Sequence, residues 1–395
     1  MRRRAGSCLG GLILLAAALC AATSSGAPLE RESSPGTPRL TPCGAALCRP
    51  DGSRFHWRGV TAFALAGHIA DGRDDDARHF ARWASGHGFT VLRVLAMNHG
   101  WLDLPPEHGR RALPRLFAIA RELGMYVQVV ALAGTGQPRF DSDTFLREQV
   151  RAIGALCAAV DNCILEIANE PYHASQADLD NPARMQALAG VVPKTVPVAF
   201  GAAAKHTSDA LAGGTFVVAH LPRGGERWER VARRADLARL SRRLGRFVVD
   251  NEPIGAADRR QRSRRDDDPA VFFAQAAVSG VLGLGATFHC DDCLHARVPS
   301  PAQQRSAEAF ARGAHFVASA GPVRWLDSPW DGSPVERAAP EPGRRLFIAT
   351  AETTAVVVAL GPAARDDVRW RPGWKVRSEQ SAGSEVHAWI ADRVP

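Results

Sequence analysis

The sequence predicts a (β/α)8 barrel followed by a small antiparallel β-domain. Three observations carry this reading. Strand-like and helix-like stretches alternate eight times in about 265 residues, close to the typical length of about 250 for such a barrel. No G-x-G-x-x-G turn follows the first strand, as a doubly wound dinucleotide-binding sheet would need. Beyond residue 320 helical spacing stops, and short strands alternate with Gly, Pro, Asp and Ser.

Composition narrows the class first. The 395 residues are 46% hydrophobic and 23% charged, ordinary globular usage. No apolar run reaches the roughly 18 residues of a membrane span. The net charge of +8 comes almost wholly from arginine, since Lys194, Lys205 and Lys375 are the lysines. Arginine is spread evenly, and the basic run 259–265 leads straight into Asp266, Asp267 and Asp268. That mixture suits a solvated loop rather than a phosphate groove, so no nucleic-acid partner is expected.

Along the chain, Arg2, Arg3 and Arg4 precede an apolar run at 9–22, with small residues at 22–27 for cleavage. Residues 1–26 therefore read as an export signal, and a secreted or periplasmic protein follows, with no membrane partner after cleavage. Residues 27–52, rich in Pro, Ser and Gly, read as a linker. The barrel is expected over 53–320 and the β-domain over 321–395.

Barrel strands are expected at 55–62, 90–95, 126–132, 164–168, 196–200, 216–219, 247–249 and 281–288, from apolar and β-branched runs. The segment 64–73 reads as a turn. Phe80, Trp83, Ala84 and His87 keep helical spacing until Gly88, and Leu113, Leu116, Phe117, Ala120 and Leu123 do so until Gly124. Further helices are expected at 143–160, 226–244, 269–280 and 302–319. The helix expected at 226–244 carries Trp228 on its apolar stripe, a core position. C-terminal strands are expected at 345–350, 355–360, 368–370 and 385–390.

Signal cleavage removes Cys8 and Cys20 and leaves Cys43, Cys48, Cys157, Cys163, Cys290 and Cys293. An even number in an exported chain points to disulfides, and pairing within near neighbours is the simplest of the connectivities. A second reading of Cys290 and Cys293, flanked by His289 and His295, is a tetrahedral metal knuckle. The disulfide is favoured, and no metal or cofactor is expected.

One motif occurs twice. Asn169-Glu170-Pro171 follows the fourth strand and Asn251-Glu252-Pro253 follows the seventh. The chain has five asparagines, so this repetition has a chance on the order of one in ten thousand, with Glu and Pro each at about one residue in twenty. Barrel enzymes keep their reactive groups at such C-terminal strand ends. Two carboxylates facing each other across one mouth are what glycoside cleavage needs: one protonates the leaving oxygen and the other attacks the anomeric carbon. A separation of about 5–5.5 Å implies retention of configuration, and about 7–9 Å inversion.

Ile167-Ala168-Asn169-Glu170-Pro171 resembles the acid/base motif of retaining barrel glycosidases, glycoside hydrolase family 5 and its cellulase-like clan. The resemblance spans about 55–320. It includes Arg58-Gly59-Val60 and Leu92-Arg93-Val94. It implies Glu170 as acid/base, Glu252 as nucleophile, Asn169 on the sugar hydroxyl beside the bond cut, and Arg93 holding the nucleophile ionised. His220 matches the histidine of the clan's His-x-Tyr after strand six, but Pro222 stands where the tyrosine would be. Phe288-His289-Cys290 replaces the usual strand-eight aromatic. Tyr172, His289 and Trp101 sit just past strand ends and are candidates for the sugar-binding mouth. The expected substrate is a β-linked poly- or oligosaccharide. The alternative is a barrel that binds carbohydrate without cleaving it.

Overall fold

In a computed structural model, residues 36–202, 213–222, 225–252, 268–327, 333–336 and 345–394, apart from 363 and 367, are described. The expected export signal, the start of the linker, Pro253 and the basic run 259–265 lie outside these residues.

Residues 36–52, within the stretch expected as a linker, pack closely. A hairpin, β1 (Thr41–Pro42) and β2 (Leu47–Cys48), is crossed by the Cys43–Cys48 disulfide. It sends Leu40 and Leu47 into an apolar cluster with Phe55, Trp57, Val91, Tyr126, Ile164, Phe216 and Phe247. Those residues stand at or near the N-terminal ends of the barrel strands, so the hairpin plugs the barrel floor. Burial of each such side chain contributes about 1.5–3 kcal/mol. The Tyr126 hydroxyl donates to Pro38 O at 2.7 Å, and burial raises its pKa to about 12. Arg39 ties the segment to the carbonyls of Ala158 and Val160.

Eight parallel strands form the barrel: β3 (Arg58–Thr61), β4 (Val91–Leu95), β5 (Tyr126–Leu132), β6 (Cys163–Ala168), β7 (Val198–Ala199), β8 (Val217–Ala219), β9 (Val248–Asp250) and β10 (Gly285–Phe288). Their order is β7-β6-β5-β4-β3-β10-β9-β8, so β3 and β10 pair and the ends of the sheet meet at β7 and β8. There Thr215 N donates to Val198 O at 2.7 Å and nearly closes the ring. Gly59 is needed where the strands crowd: a Cβ there would lie 2.5 Å from Thr287 Oγ1 and 2.8 Å from Trp57 Nε1.

The helices are α1 (Leu65–Ala70), α2 (Asp74–Gly86), α3 (Pro106–Glu122), α4 (Asp143–Ala158), α5 (Pro182–Ala189), α6 (Arg227–Ala232), α7 (Arg234–Leu244), α8 (Pro269–Leu282), α9 (Asp291–Leu294) and α10 (Pro301–Ala318). The second disulfide, Cys157–Cys163, joins the end of α4 to the start of β6. Helix α8 is buried on nearly every side, as its unbroken apolar run demands. It packs against α10 and also against the C-terminal sheet, so it joins the two layers. That sheet is antiparallel, with strands β11 (Arg324–Trp325), β12 (Arg345–Thr350), β13 (Thr354–Leu360), β14 (Trp374–Ser381) and β15 (Val386–Arg393) in the order β11-β12-β13-β15-β14. The fold is thus a (β/α)8 barrel followed by a small β-domain.

Several expected elements differ. The segment 64–73 contains a helix, α1, rather than only a turn. The stretch 226–244 is two helices meeting at Arg233. The eighth strand begins at Gly285, not at 281, because α8 runs through Leu282 and Gly283, at φ 73°, ends it. Residues 368–370 contribute only a bridge from Trp370 to Val335. The strand in that region is β14, whose polar, exposed sequence gives no apolar run to find.

Candidate active site

The carboxylates stand at the C-terminal ends of β6 and β9. Glu170 follows β6 with φ of 43°, a left-handed backbone that non-glycine residues seldom adopt. Such a strained turn is tolerated where the surrounding structure holds it, and it is often found at working sites. Here Asn169 N is tied to Leu132 O at 3.0 Å, and Gln176 donates to Asn169 O at 2.6 Å. The Glu170 side chain is 27% exposed, that of Glu252 7%.

One carboxylate oxygen of Glu170, one of Glu252 and a ring nitrogen of His220 all lie within 4.8 Å of one another. His220 sits between the glutamates. Its Nδ1 is 3.3 Å from Glu170 Oε1, and its Nε2 is 3.7 Å from Glu252 Oε1. Burial opposes a charge on this imidazole, but the carboxylates of Glu252 and Glu170 outweigh burial and raise its pKa above the ordinary value. The Tyr172 hydroxyl donates to Glu170 Oε1 at 3.2 Å. His289, 2% exposed, bonds Thr61 Oγ1 through Nδ1 at 2.8 Å and brings Nε2 to 3.9 Å from Glu252 Oε2.

Beneath the pair lies a buried polar lattice. Arg93 Nη1 donates to Glu252 Oε1 at 2.6 Å and Nη2 to Asn169 Oδ1 at 2.8 Å. Its Nε and Nη2 also donate to the two oxygens of Glu166, at 2.9 and 3.0 Å. Gln128 and Asn251 donate to Glu166 Oε2 at 2.8 and 3.2 Å, and Thr287 donates to Asn251 Oδ1 at 3.1 Å. Burial alone would weaken the Arg93 cation; Glu166 and Glu252 more than offset it and hold the guanidinium charged. Next to Glu252, Asp250 is paired with Arg234 of α7 at 3.1 Å, both fully buried.

The structure thus brings Glu170, Glu252, Asn169, Arg93, His220, Tyr172 and His289 together. Trp101 stands apart, 49% exposed, with its ring 6.2 Å from Phe63 and 5.5 Å from His295. Trp228 is 6% exposed and belongs to the core. Sequence reasoning missed Glu166, Gln128, Thr61 and Thr287. Glu166 and Gln128 offered a signal: polar side chains in the middle of strands that are otherwise apolar.

Glu170, His220 and Glu252 also have the spacing of a metal-ligand set, although the Arg93 cation at Glu252 opposes a second cation there. The knuckle reading of Cys290 and Cys293 gives way to a disulfide, which removes both thiolates; Cys43–Cys48 and Cys157–Cys163 are bonded likewise.

No protein-family model matches the chain, and no curated protein matches it. Its structure is similar to solved ones. A glycoside hydrolase family 5 protein from Bacteroides vulgatus aligns with a TM-score of 0.63 at 12% identity, over 90% of this chain and 93% of that one. A family 5 mannosidase from Rhizomucor miehei aligns at 0.55 and 11% identity, over 72% of this chain and 99% of that one. A β-glucanase from Saccharophagus degradans, solved with cellotetraose, aligns at 0.54 and 15% identity, over 70% and 93%. The chain therefore has the glycoside hydrolase fold of family 5 and related cellulase-like structures, in a divergent form. The Bacteroides likeness covers more than the barrel and takes in the C-terminal sheet.

Proposed function

We propose that the protein is a retaining glycoside hydrolase that cleaves β-glycosidic bonds in a poly- or oligosaccharide. The observation that carries this is the approach of Glu170 and Glu252 oxygens to within 4.8 Å across the barrel mouth. This approach supports the short carboxyl separation of retaining enzymes, about 5–5.5 Å, over the roughly 6.5–9.5 Å of inverting ones. Glu252 is the nucleophile. It is the more buried of the two and accepts from Arg93, whose fixed charge suits an anion. Glu170 is the acid/base.

In the first step Glu252 attacks the anomeric carbon as Glu170 gives its proton to the leaving oxygen, and a covalent glycosyl-enzyme forms. In the second step Glu170 takes a proton from water, whose oxygen displaces Glu252 and restores the original configuration. Asn169 has its carbonyl committed to Arg93, so its amide hydrogens serve a sugar hydroxyl beside the reacting bond. Tyr172, His220 and His289 complete the sugar-binding mouth.

Residues 1–26 act as an export signal, 53–320 as the catalytic barrel and 321–395 as the β-domain, and the mature protein is secreted or periplasmic. The three disulfides favour an oxidising compartment. Pro222, in place of the clan's tyrosine, and Phe288-His289-Cys290, in place of its strand-eight aromatic, favour a non-catalytic carbohydrate-binding barrel. Turnover of aryl β-glycosides, with covalent labelling of Glu252 by the matching 2-fluoro glycoside, tests the enzyme reading. Binding without turnover or label would favour the alternative.

A further inference from the structure

Strand register brings Thr61 and His289 together beside Glu252. The parallel pairing of β10 with β3 sets Thr287 beside Gly59 and Phe288 beside Val60. One step further along, His289 comes beside Thr61. Side chains alternate along a strand, and packing fixes which way each one points here. Phe288 points outward, fully buried, with its ring 5.0 Å from Phe272 of α8 and 5.9 Å from Phe310 of α10. Thr287 points inward, to Asn251. His289 therefore points inward as well, at the mouth end of the barrel.

The imidazole is held from its far side. Thr61 Oγ1 lies 2.8 Å from Nδ1, and Phe63 meets the ring edge-on at 6.2 Å between centroids. Phe63 also carries the Arg93 guanidinium 5.0 Å from its centroid, so one ring braces both neighbours of the nucleophile. The two oxygens of Glu252 have different surroundings. Oε1 accepts from Arg93 at 2.6 Å, and Oε2 faces His289 Nε2 at 3.9 Å. Both side chains are almost wholly shielded, so charge and dipole act on each other with little screening. A bare Nε2 would turn its lone pair on the carboxylate. The hydrogen therefore sits on Nε2, and in the neutral ring Nδ1 accepts the Thr61 hydroxyl hydrogen. At 3.9 Å this is a charge–dipole contact rather than a hydrogen bond. Contacts of reacting groups commonly shorten towards the transition state.

The geometry points to His289 as a positioning residue for the nucleophile: oriented by Thr61, it presents Nε2–H to the second oxygen of Glu252 and favours the return of that group to a carboxylate. This rests on the hydrolase reading and deepens it. When the glycosyl-enzyme is hydrolysed, the bond from the anomeric carbon to Glu252 breaks and its electron pair returns to the carboxylate. The water oxygen bonds to that carbon, and Glu170 takes one proton from the water. A donor aimed at Glu252 stabilises the charge as it reappears, so it speeds this step.

The test labels the full-length protein with the dinitrophenyl 2-fluoro β-glycosides of glucose, mannose and xylose, removes the reagent, and follows loss of the label by mass spectrometry. Only labelled molecules are counted, so an unfolded fraction does not enter. His289→Phe keeps a ring and removes the donor. It should lose the label about ten-fold more slowly than the wild type, the worth of one hydrogen bond to a charged group. His289→Gln, whose amide can place an N–H near the Nε2 position, should recover most of that rate. Thr61→Val should slow the loss about three-fold, and Thr61→Ser should restore it. Equal rates in the Phe and Gln variants overturn the proposal. Equal rates in the Val and Ser variants overturn the part given to Thr61. A second measurement is independent of turnover: long-range proton–nitrogen NMR with isotope-labelled histidine, the His289 signal being identified by its loss in His289→Phe. Hydrogen on Nε2 is expected, and a bare Nε2 overturns the proposal whatever the label does. A wild type that takes no label from any of the three glycosides, yet carries hydrogen on Nε2, keeps the contact and rejects the hydrolase.

Discussion

Arg93 and Glu166 meet as a two-bond fork inside the barrel, Nε to Oε2 at 2.9 Å and Nη2 to Oε1 at 3.0 Å, with both side chains wholly shielded from water. The fork fixes the guanidinium so that Nη1 is left for Glu252. Removing the cation strands two buried carboxylates. Arg93→Ala should therefore destabilise the fold by about 3–5 kcal/mol, the usual cost of breaking a buried pair. Arg93→Lys should recover only part of this, because an ammonium cannot fork. Urea denaturation midpoints of the three proteins measure it.

Glu252→Ala should abolish turnover of aryl β-glycosides. Added azide should restore it and yield the glycosyl azide of inverted configuration, identified by NMR of the product. Recovery with retained configuration would reverse the two assigned roles.

Glu170→Ala should slow hydrolysis of substrates with poor leaving groups by about 10²–10⁴-fold, the usual contribution of a positioned acid. Substrates with very good leaving groups should still form the glycosyl-enzyme, seen as a burst, and azide should then give the retained product.

His220 is raised in pKa by Glu252 and Glu170 against the opposing effect of burial. A raised native pKa stabilises the fold below the unfolded value of about 6.5, and that stability is lost as pH rises through the native value. His220→Asn should thus cost more stability at about pH 5.5 than at about pH 9.5. Equal costs at the two pH values would count against a charged imidazole.

The three disulfides close loops with sequence separations of 5, 6 and 3. Short loops save little chain entropy, about 2 kcal/mol each. Thiol titration of the unreduced, denatured mature protein should find no free cysteine. Cys157→Ser with Cys163→Ser should lower stability by about that amount, read from the denaturation midpoint.

Much of the fold could be read from the sequence because buried parallel strands are continuous apolar runs, as at Tyr126–Leu132 and Cys163–Ala168. Strand β14 could not, because Lys375, Arg377, Ser378, Glu379 and Gln380 leave it without an apolar stretch. The limits of α8 and β10 blurred into each other because both are apolar, and only Gly283 separates them. At the site, the doubled Asn-Glu-Pro marked two strand ends. The lattice under them was harder to read, since Thr61, Gln128, Glu166 and Thr287 come from four strands that only closure of the barrel brings together.

The hairpin at 41–48 has a practical consequence for where this protein can be cut. A barrel excised at residue 53 would keep every strand and both glutamates, yet lose Leu40 and Leu47. The rings of Phe55, Trp57 and Tyr126, now 2%, 5% and 3% exposed, would become a sticky floor open to solvent. Water would then stand close below the shielded Arg93–Glu166 fork, and neighbouring molecules would tend to associate through the uncovered patch. The working unit begins upstream of its first barrel strand, and trimming should spare residue 36 onward.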